Sequence, residues 1–505
     1  MAKSKTASFV VELGLVTHQN EQVVLDKRFK IAEKLYNKVL YHAQTQLTEL
    51  YKNRRYQDVL AERRLSIKAN DKNRVTACNK ELQTIQKTFG MTEYALHAYI
   101  GRMREAYKKH IDSFTAQKIA SAVWTSVSSL LYGKGKKVRF KKFGQLESLE
   151  GKSNATGMRF KGDRLEWNGL ILPVTMRAND LFVQESLSLH RVKYCRIVRK
   201  AFKGGNQYFL QLVLEGNPPV KRNNNTGMPR RQPAPNAEVG IDIGTSTVAV
   251  AGDDGVILKE LFPEGASYDH AIHLLQRKLD RSRRATNPAN FTVDGTVKQG
   301  VKLTWVRSKN YMKIRFRLKD LYRRRAVALK EAHNKTANAI LALGNQVYVE
   351  DMAFRALMKR AKETTVNKNG RFNRKKRYGK SIGYHAPAML IAIVKQKAPQ
   401  EGGALYEVDT FKFRASQYNH VNDTYIKKTR DERTTFVAGQ LVQRDLYSAF
   451  LLKNSQPTRN ETDRTKCSAT FATFMAHHDT CIQTLCQSTG RQSCNFGRSE
   501  ERRVG

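Results

Sequence analysis

The stretch EVGIDIGTSTVAVAGDDGVILKEL, residues 238–261, decides how this chain is read. Val239 to Ile243 is apolar except for Asp242, and Gly240 and Gly244 flank that acid. Gly244 and Thr245 turn the chain into VAVAG, and Asp253-Asp254-Gly255 turns it back into VILKEL. β-Branched runs broken by such turns predict three short antiparallel strands. A carboxylate inside an apolar strand is costly unless it is paired or holds a metal. Asp242 therefore needs a partner or a metal supplied from elsewhere in the chain.

Two further acids fall at the ends of predicted elements. In NQVYVEDMAFRAL (345–357) a strand over Val347 to Val349 ends at Glu350. In GQLVQRDLYSAFLL (439–452) a polar strand end runs into an apolar helix and puts Asp445 near the helix start. Each acid alone reads as a cap or a surface charge. Three of them at element ends in one domain point to a shared site. Converging carboxylates repel one another. Hard oxygen ligands suit Mg²⁺, and two such ions about 4 Å apart stabilise both the attacking water and the leaving oxygen of a phosphodiester. Asp242, Glu350 and Asp445 are thus the candidate catalytic residues and the candidate ligands of two Mg²⁺ ions. Three antiparallel strands with an acid on the first resemble the opening of a ribonuclease H-like fold.

The chain around this motif has 505 residues, too many for one core, so two or more domains are expected. Lys and Arg outnumber Asp and Glu by 90 to 45, a formal net charge of +45, while 40% of the residues are hydrophobic. The chain can bury cores and is not a disordered polycation. So large a charge excess repels itself unless a polyanion neutralises it, and nucleic acid is the natural candidate. A ribosome-associated or membrane-surface protein is the alternative. No stretch reaches the ~18–20 apolar residues of a membrane span. MAKSKTASFVVELGLV reads as a strand, because Glu12 breaks its short apolar run. Six cysteines are too few for a disulfide scaffold. These features suit a cytoplasmic protein of bacterial or similar context.

Residues 7–16 read as a strand, and Leu25 to Leu50 carries helix periodicity, with Phe29, Ile31, Ala32, Leu35, Tyr36, Val39 and Leu40 on one face. Met91 to Ile111 and Thr115 to Leu131 are further helices, with Tyr94, Tyr99 and Tyr107 read as core. In YGKGKKVRFKKFGQL (132–146) Val138 and Phe140 alternate with Lys137, Arg139 and Lys141. That pattern predicts a strand with one basic face, and Lys136, Lys137, Arg139 and Lys141 become candidate nucleic-acid contacts. A solvated edge strand is the alternative. MRFKGDRLEW (158–167) and YCRIVRKAFKGGNQYFLQLVLEG (194–216) read as hairpins. Residues 1–220 are therefore expected to form a β-barrel-like domain with a helical lobe at about 26–132 inserted after its first strand. The Pro-, Asn- and Gly-rich text that follows places a linker at 221–238. The second domain is expected over 239–454. AKETTVNKNGRFNRKKRYGKS (361–381) reads as a basic loop near nucleic acid. In 455–505, Cys467, Cys481, Cys486 and Cys494 have spacings unlike a zinc knuckle, and adjacent His477 and His478 do not repair them. That tail is expected to be disordered.

GIDIGTSTVAV, VYVEDMAF and VQRDLYSAFL, in that order, resemble the three segments of a split RuvC nuclease domain. LQRKLDRSRRATNPANF (275–291) and WVRSKNYMKIRFRLKDLYRRR (305–325) resemble the basic helices that follow the first segment in TnpB proteins. These are transposon-encoded, often described as transposases, and similar to the type V CRISPR effectors. The resemblance covers roughly 1–454. It implies an α+β and α/β multidomain chain, with a β-barrel (wedge) domain and helical recognition lobe ahead of a ribonuclease H-like nuclease domain. It implies Mg-dependent, RNA-guided cleavage of DNA, with guide RNA and target double-stranded DNA as partners and Asp242, Glu350 and Asp445 as the metal ligands. Arg277, Arg281, Arg283 and Arg284 are then expected to contact nucleic acid. Base pairing would read most of the target.

Two departures stand out. Many family members carry a zinc ribbon between the second and third acids, but residues 416–445 contain no cysteine, and His420 alone cannot make a four-ligand site. A ribbon-like hairpin without zinc is expected there. Leu446 to Ala449 also stands where the family has Asn-Ala-Ala. The competing readings are a guided DNA-binding protein that does not cut, and a DNA-only transposase or resolvase.

Overall fold

The computed structural model describes residues 7–133, 135–231, 233–367, 369–373, 375, 378–429, 432–487 and 496. The chain forms two compact units, Met1–Met228 and Pro229–Gly505, so the division falls inside the expected linker. Among the described residues, no helix is long and apolar enough to cross a membrane.

In the first unit, β1 (Ser8–Leu15) alternates exposed and buried positions, with Phe9, Val11, Leu13 and Leu15 turned inward. Helix α1 (Gln19–Lys52) follows, its start held by the Glu21 carboxylate accepting from the His18 N–H at 2.8 Å. Its buried stripe runs from Leu25 through Phe29, Tyr36 and Leu40 to Leu50. Four more helices complete the lobe: α2 (Arg54–Lys68), α3 (Lys72–Thr88), α4 (Glu93–Arg104) and α5 (Ser113–Leu131). Asn53, Asp71, Thr92 and Asp112 cap their N-termini by accepting backbone N–H groups.

The chain then returns to strands: β2 (Ser148–Glu150), β3 (Arg159–Lys161), β4 (Arg164–Trp167) and β5 (Leu170–Thr175), helix α6 (Leu181–Leu189), then β6 (Val192–Phe202) and β7 (Gly205–Glu215). Among the described residues these seven strands pair antiparallel in the order β2-β6-β7-β1-β5-β4-β3, a curled half-barrel. Gly162, at φ +65°, makes the turn of the β3–β4 hairpin. The helical lobe lies in sequence between β1 and β2.

Two local expectations for this unit are corrected. Residues 137–141 form no strand. The N–H and C=O of Lys141 bond instead to the side chain of Asn37 on α1, at 2.8 and 2.9 Å, which removes them from any ladder. Tyr94 is not core but 78% exposed; it sits on the outer face of α4, while Leu96 and Ile100 face in.

In the second unit, β8 (Glu238–Ile243), β9 (Thr247–Ala251) and β10 (Val256–Glu260) form the three antiparallel strands read from the opening motif. Helices α7 (Gly265–Thr286) and α8 (Lys309–Leu343) lead to β11 (Gln346–Glu350). Then come α9 (Phe354–Leu357), α10 (Gly379–His385), α11 (Pro387–Lys397), β12 (Ala404–Val408) and α12 (Thr410–Phe413). The sheet order is β10-β9-β8-β11-β12, with β11 parallel to both β8 and β12. Residues 416–445 hold two small ladders, β13 (Tyr418–Asn419) with β14 (Thr424–Tyr425), and β15 (Thr434–Val437) with β16 (Gln440–Gln443). Helices α13 (Arg444–Lys453) and α14 (Arg464–Gln487) follow.

Strand alternation sorts the sheet's two faces. Val239, Ile241 and Ile243 of β8 and Val347 and Val349 of β11 pack with Ala337, Ile340 and Leu341 of α8 and Leu390 and Val394 of α11. Gly240, Asp242, Tyr348 and Glu350 therefore point to the opposite face, where α13 lies.

The expectation of a disordered tail is corrected over 464–487. Cys467, Phe471, Phe474, Met475, His478, Ile482 and Leu485 recur at helical spacing and pack against the α13 cluster. Judged by cysteine spacing alone, that period goes unseen. Residues 488–495 and 497–505, Cys494 among them, lie outside the described residues.

Candidate active site

Asp242 and Glu350 sit side by side on β8 and β11. The parallel register pairs Ile241 with Val349, which sets the next residue of each strand at the same level on the α13 face. Asp445 comes from the first turn of α13. This helix lies directly on β8, and Gly240 is the reason it can. A Cβ at Gly240 would overlap the Ala449 carbonyl oxygen and come 2.5 Å from the Lys453 nitrogen. The start of α13 is fixed twice. The Gln443 side chain accepts the Leu446 N–H at 2.7 Å, and the Gln443 N–H donates to His478 Nε2 of α14 at 2.9 Å.

The three acids line one open cavity of about 440 Å³, together with Arg433, Arg444 and Ser448. Burial raises the Asp242 carboxyl well above the usual carboxylate range, and the charges of Asp445 and then Glu350 add to that. Arg444 and a hydrogen bond from Ser448 pull it back in part. The Ser448 hydroxyl is also 3.1 Å from the Arg444 carbonyl, so two acceptors compete for one proton. Burial pushes Glu350 up to about 7, against the opposing bond from the Ala415 N–H. Arg444 Nη2 lies 3.3 Å from Asp445 Oδ1, while its Nη1 donates to the carbonyls of Glu432 at 2.9 Å and Thr429 at 3.1 Å. One guanidinium thus leans on Asp445 and is anchored by the loop ahead of β15.

Among the described residues, no three His, Cys, Asp or Glu side chains close into a ready-made metal cluster. The chemistry of the donor set still suits a hard divalent cation. All three groups are carboxylates, they face one cavity, and their mutual repulsion is only partly offset by Arg444. Asp351, beside Glu350, is exposed, and its N–H bonds to the Val408 carbonyl at 2.9 Å.

The basic residues picked out by sequence divide between the two units. Lys136, Lys137 and Arg139 are exposed in the first unit, and the Lys141 ammonium lies 5.4 Å from the ring centre of Tyr36. In the second unit Arg277 and Arg281 are exposed on α7. Arg283 and Arg284 both pair with Asp280, at 2.8 and 2.7 Å. Arg283 also stacks over Trp305 and Phe291, and Arg284 over Phe291. These two brace the 287–306 loop as well as carrying charge. His420 is a buried core residue, its Nδ1 2.7 Å from the Tyr447 hydroxyl and its ring against Phe471. Sequence reasoning missed Arg433, Arg444 and Ser448. Ser448 had a usable signal, since three residues after Asp445 on a helix is the same face.

No family model matches the chain, and no curated protein matches it. Among solved structures, the chain is similar to one in "Cryo-EM structure of the Cas12f1-sgRNA-target DNA complex", with 11% identity and a TM-score of 0.44 over 90% of this chain and 99% of that one. It is also similar to one in "Cryo-EM structure of CRISPR-Cas12f Ternary Complex", with 12% identity and a TM-score of 0.23 over 90% and 100%. Neither likeness is strong enough to establish a shared fold.

Proposed function

We propose that the protein is an RNA-guided DNA endonuclease of the TnpB kind, hydrolysing DNA phosphodiesters at a RuvC-like site made of Asp242, Glu350 and Asp445. The observation that carries this reading is the meeting of those three acids, from β8, β11 and α13, on one cavity. The sheet order β10-β9-β8-β11-β12 supports a ribonuclease H-like domain. The net charge of +45 supports nucleic-acid partners, here a guide RNA and a double-stranded DNA target.

The three carboxylates would hold Mg²⁺, which when bound supplies Lewis-acid stabilisation to a phosphodiester under attack by water. The chain's own side chains do the rest. Arg433 on the cavity wall offers cationic donors to phosphate oxygens, and Arg444, anchored by the loop, keeps its positive charge beside Asp445. Ser448 orients the Asp242 carboxylate. Gly240 and the Gln443–His478 bond keep Asp445 facing its two partners. The exposed bases at Lys136, Lys137, Arg139, Arg277 and Arg281 contact sugar-phosphate and give affinity without sequence choice.

The test is cleavage of a plasmid target by the purified protein with a matched guide RNA and Mg²⁺. Cutting that depends on all three components is expected. A protein that binds guide and target without cutting would favour the binding-only reading, and cutting without RNA would favour a DNA-only enzyme.

A further inference from the structure

We infer that Lys259 is an acylation site, whose amine takes the acyl group of a small thioester bound in a cavity between the edge strand β10 and helix α8. The cavity has a volume of about 580 Å³ and is separate from the one the three acids line. Lys259 stands half-buried in its lining. On the α8 side, Ala328, Ala332 and Thr336 follow one another at spacings of four residues and form one wall. Their small side chains leave room beside the amine, and Leu261 and Pro263 add apolar surface.

The amine has no counter-charge. Glu260, Glu264 and Glu331 line the same cavity, yet among the described residues none forms an ion pair with Lys259. Glu331 is instead 3.7 Å from Lys335, one turn along α8. An ammonium drawn out of water without a partner is costly. Burial therefore holds Lys259 below the ordinary lysine range, with no carboxylate near enough to oppose it. A lysine desolvated in an apolar setting presents a neutral amine, which is a nucleophile.

The lining also selects the electrophile. Three glutamates in one cavity disfavour an anionic head beside the amine, whereas a thioester carbonyl is neutral and its short acyl chain suits the apolar wall. The Nε lone pair attacks the thioester carbonyl carbon and a C–N bond forms. The C–S bond breaks, and the thiolate leaves and takes up the proton that the amine gives. The product is a neutral amide, so the cost of burying a charge at this position ends with the reaction. No nucleic acid, metal or acid of the candidate active site takes part, and the inference does not rest on the proposed function.

The probe is the acetyl thioester of N-acetylcysteamine, given in limited amount to the full-length protein near neutral pH. The remaining amines are capped after denaturation with a heavy-isotope acetyl group, and peptide mass spectrometry reads the light fraction at each lysine. Lys259 should label about tenfold faster than exposed Lys68 of α2, because its amine is more often unprotonated. That advantage should shrink as pH rises and Lys68 loses its own proton. Ala328→Glu sets a carboxylate on the wall facing the amine and should bring Lys259 down to the Lys68 rate, with thermal unfolding as the check that the variant folds. Labelling of Lys259 no faster than Lys68 in the unmutated protein would overturn the inference, whatever the variant does. A folded Ala328→Glu protein that keeps the full preference would also overturn it. Cleavage is not part of the readout, so this inference and the proposed function fail separately.

Discussion

Gly240 of β8 faces the Ala449 carbonyl of α13 with no room for a methyl group between them. This contact joins fold to chemistry, because α13 carries Asp445 and β8 carries Asp242. Gly240→Ala must push the helix off the strand or strain both. It should cost about 3 kcal/mol or more, at or beyond the upper end for overpacked cores. Chemical denaturation of purified protein measures it. A variant that unfolds with the unmutated protein would show that the helix is not seated as described.

The His478–Gln443 bond makes a separate prediction. Both residues are buried, and Gln443 begins the helix that carries Asp445. His478→Leu removes the acceptor of the Gln443 N–H, and losing this buried bond should cost about 1–3 kcal/mol. His478→Gln offers an amide oxygen in its place and should recover part of the loss. Equal denaturation midpoints for the two variants would argue against the bond.

His420 gives the stability a pH dependence. Burial, helped by the Arg464 charge, lowers its pKa from 6.5 to about 4, so the folded state favours the neutral ring. Its contribution is present in full above pH 6.5 and is lost as pH falls towards 4. At 1.36 kcal/mol per pH unit the loss is about 3 kcal/mol at most. Denaturation at stepped pH should show this decline, and His420→Phe, which does not titrate, should lessen it. An unchanged decline in the variant would assign it to other groups.

Much of this architecture is written in local signals. The β8–β10 meander follows from β-branched runs punctuated by Gly244 and Gly255, and α1 from its long apolar stripe. The three acids stand at element ends that short patterns define, so their meeting could be anticipated. Other features depend on distant partners. Lys137 to Lys141 has strand alternation, yet Asn37, about a hundred residues earlier, takes the backbone N–H and C=O of Lys141. Helices α2 and α3 bury only a few apolar side chains, chiefly Tyr56, Val59, Cys78 and Leu82, too thin a stripe to stand out. The role of Gly240 depends on a helix that begins two hundred residues later. Arg444 is adjacent to Asp445, but only the loop carbonyls of Thr429 and Glu432 aim its guanidinium.

The most direct measurement is cleavage of a plasmid target by purified protein, matched guide RNA and Mg²⁺, with single acids replaced by their amides. Asp242→Asn, Glu350→Gln and Asp445→Asn should each lower cleavage by orders of magnitude while guide and target still bind, because groups acting as one unit fail together. Asp351→Asn should keep most of the activity, since that side chain is exposed beside the site. Full-rate cleavage by Asp242→Asn would contradict the account.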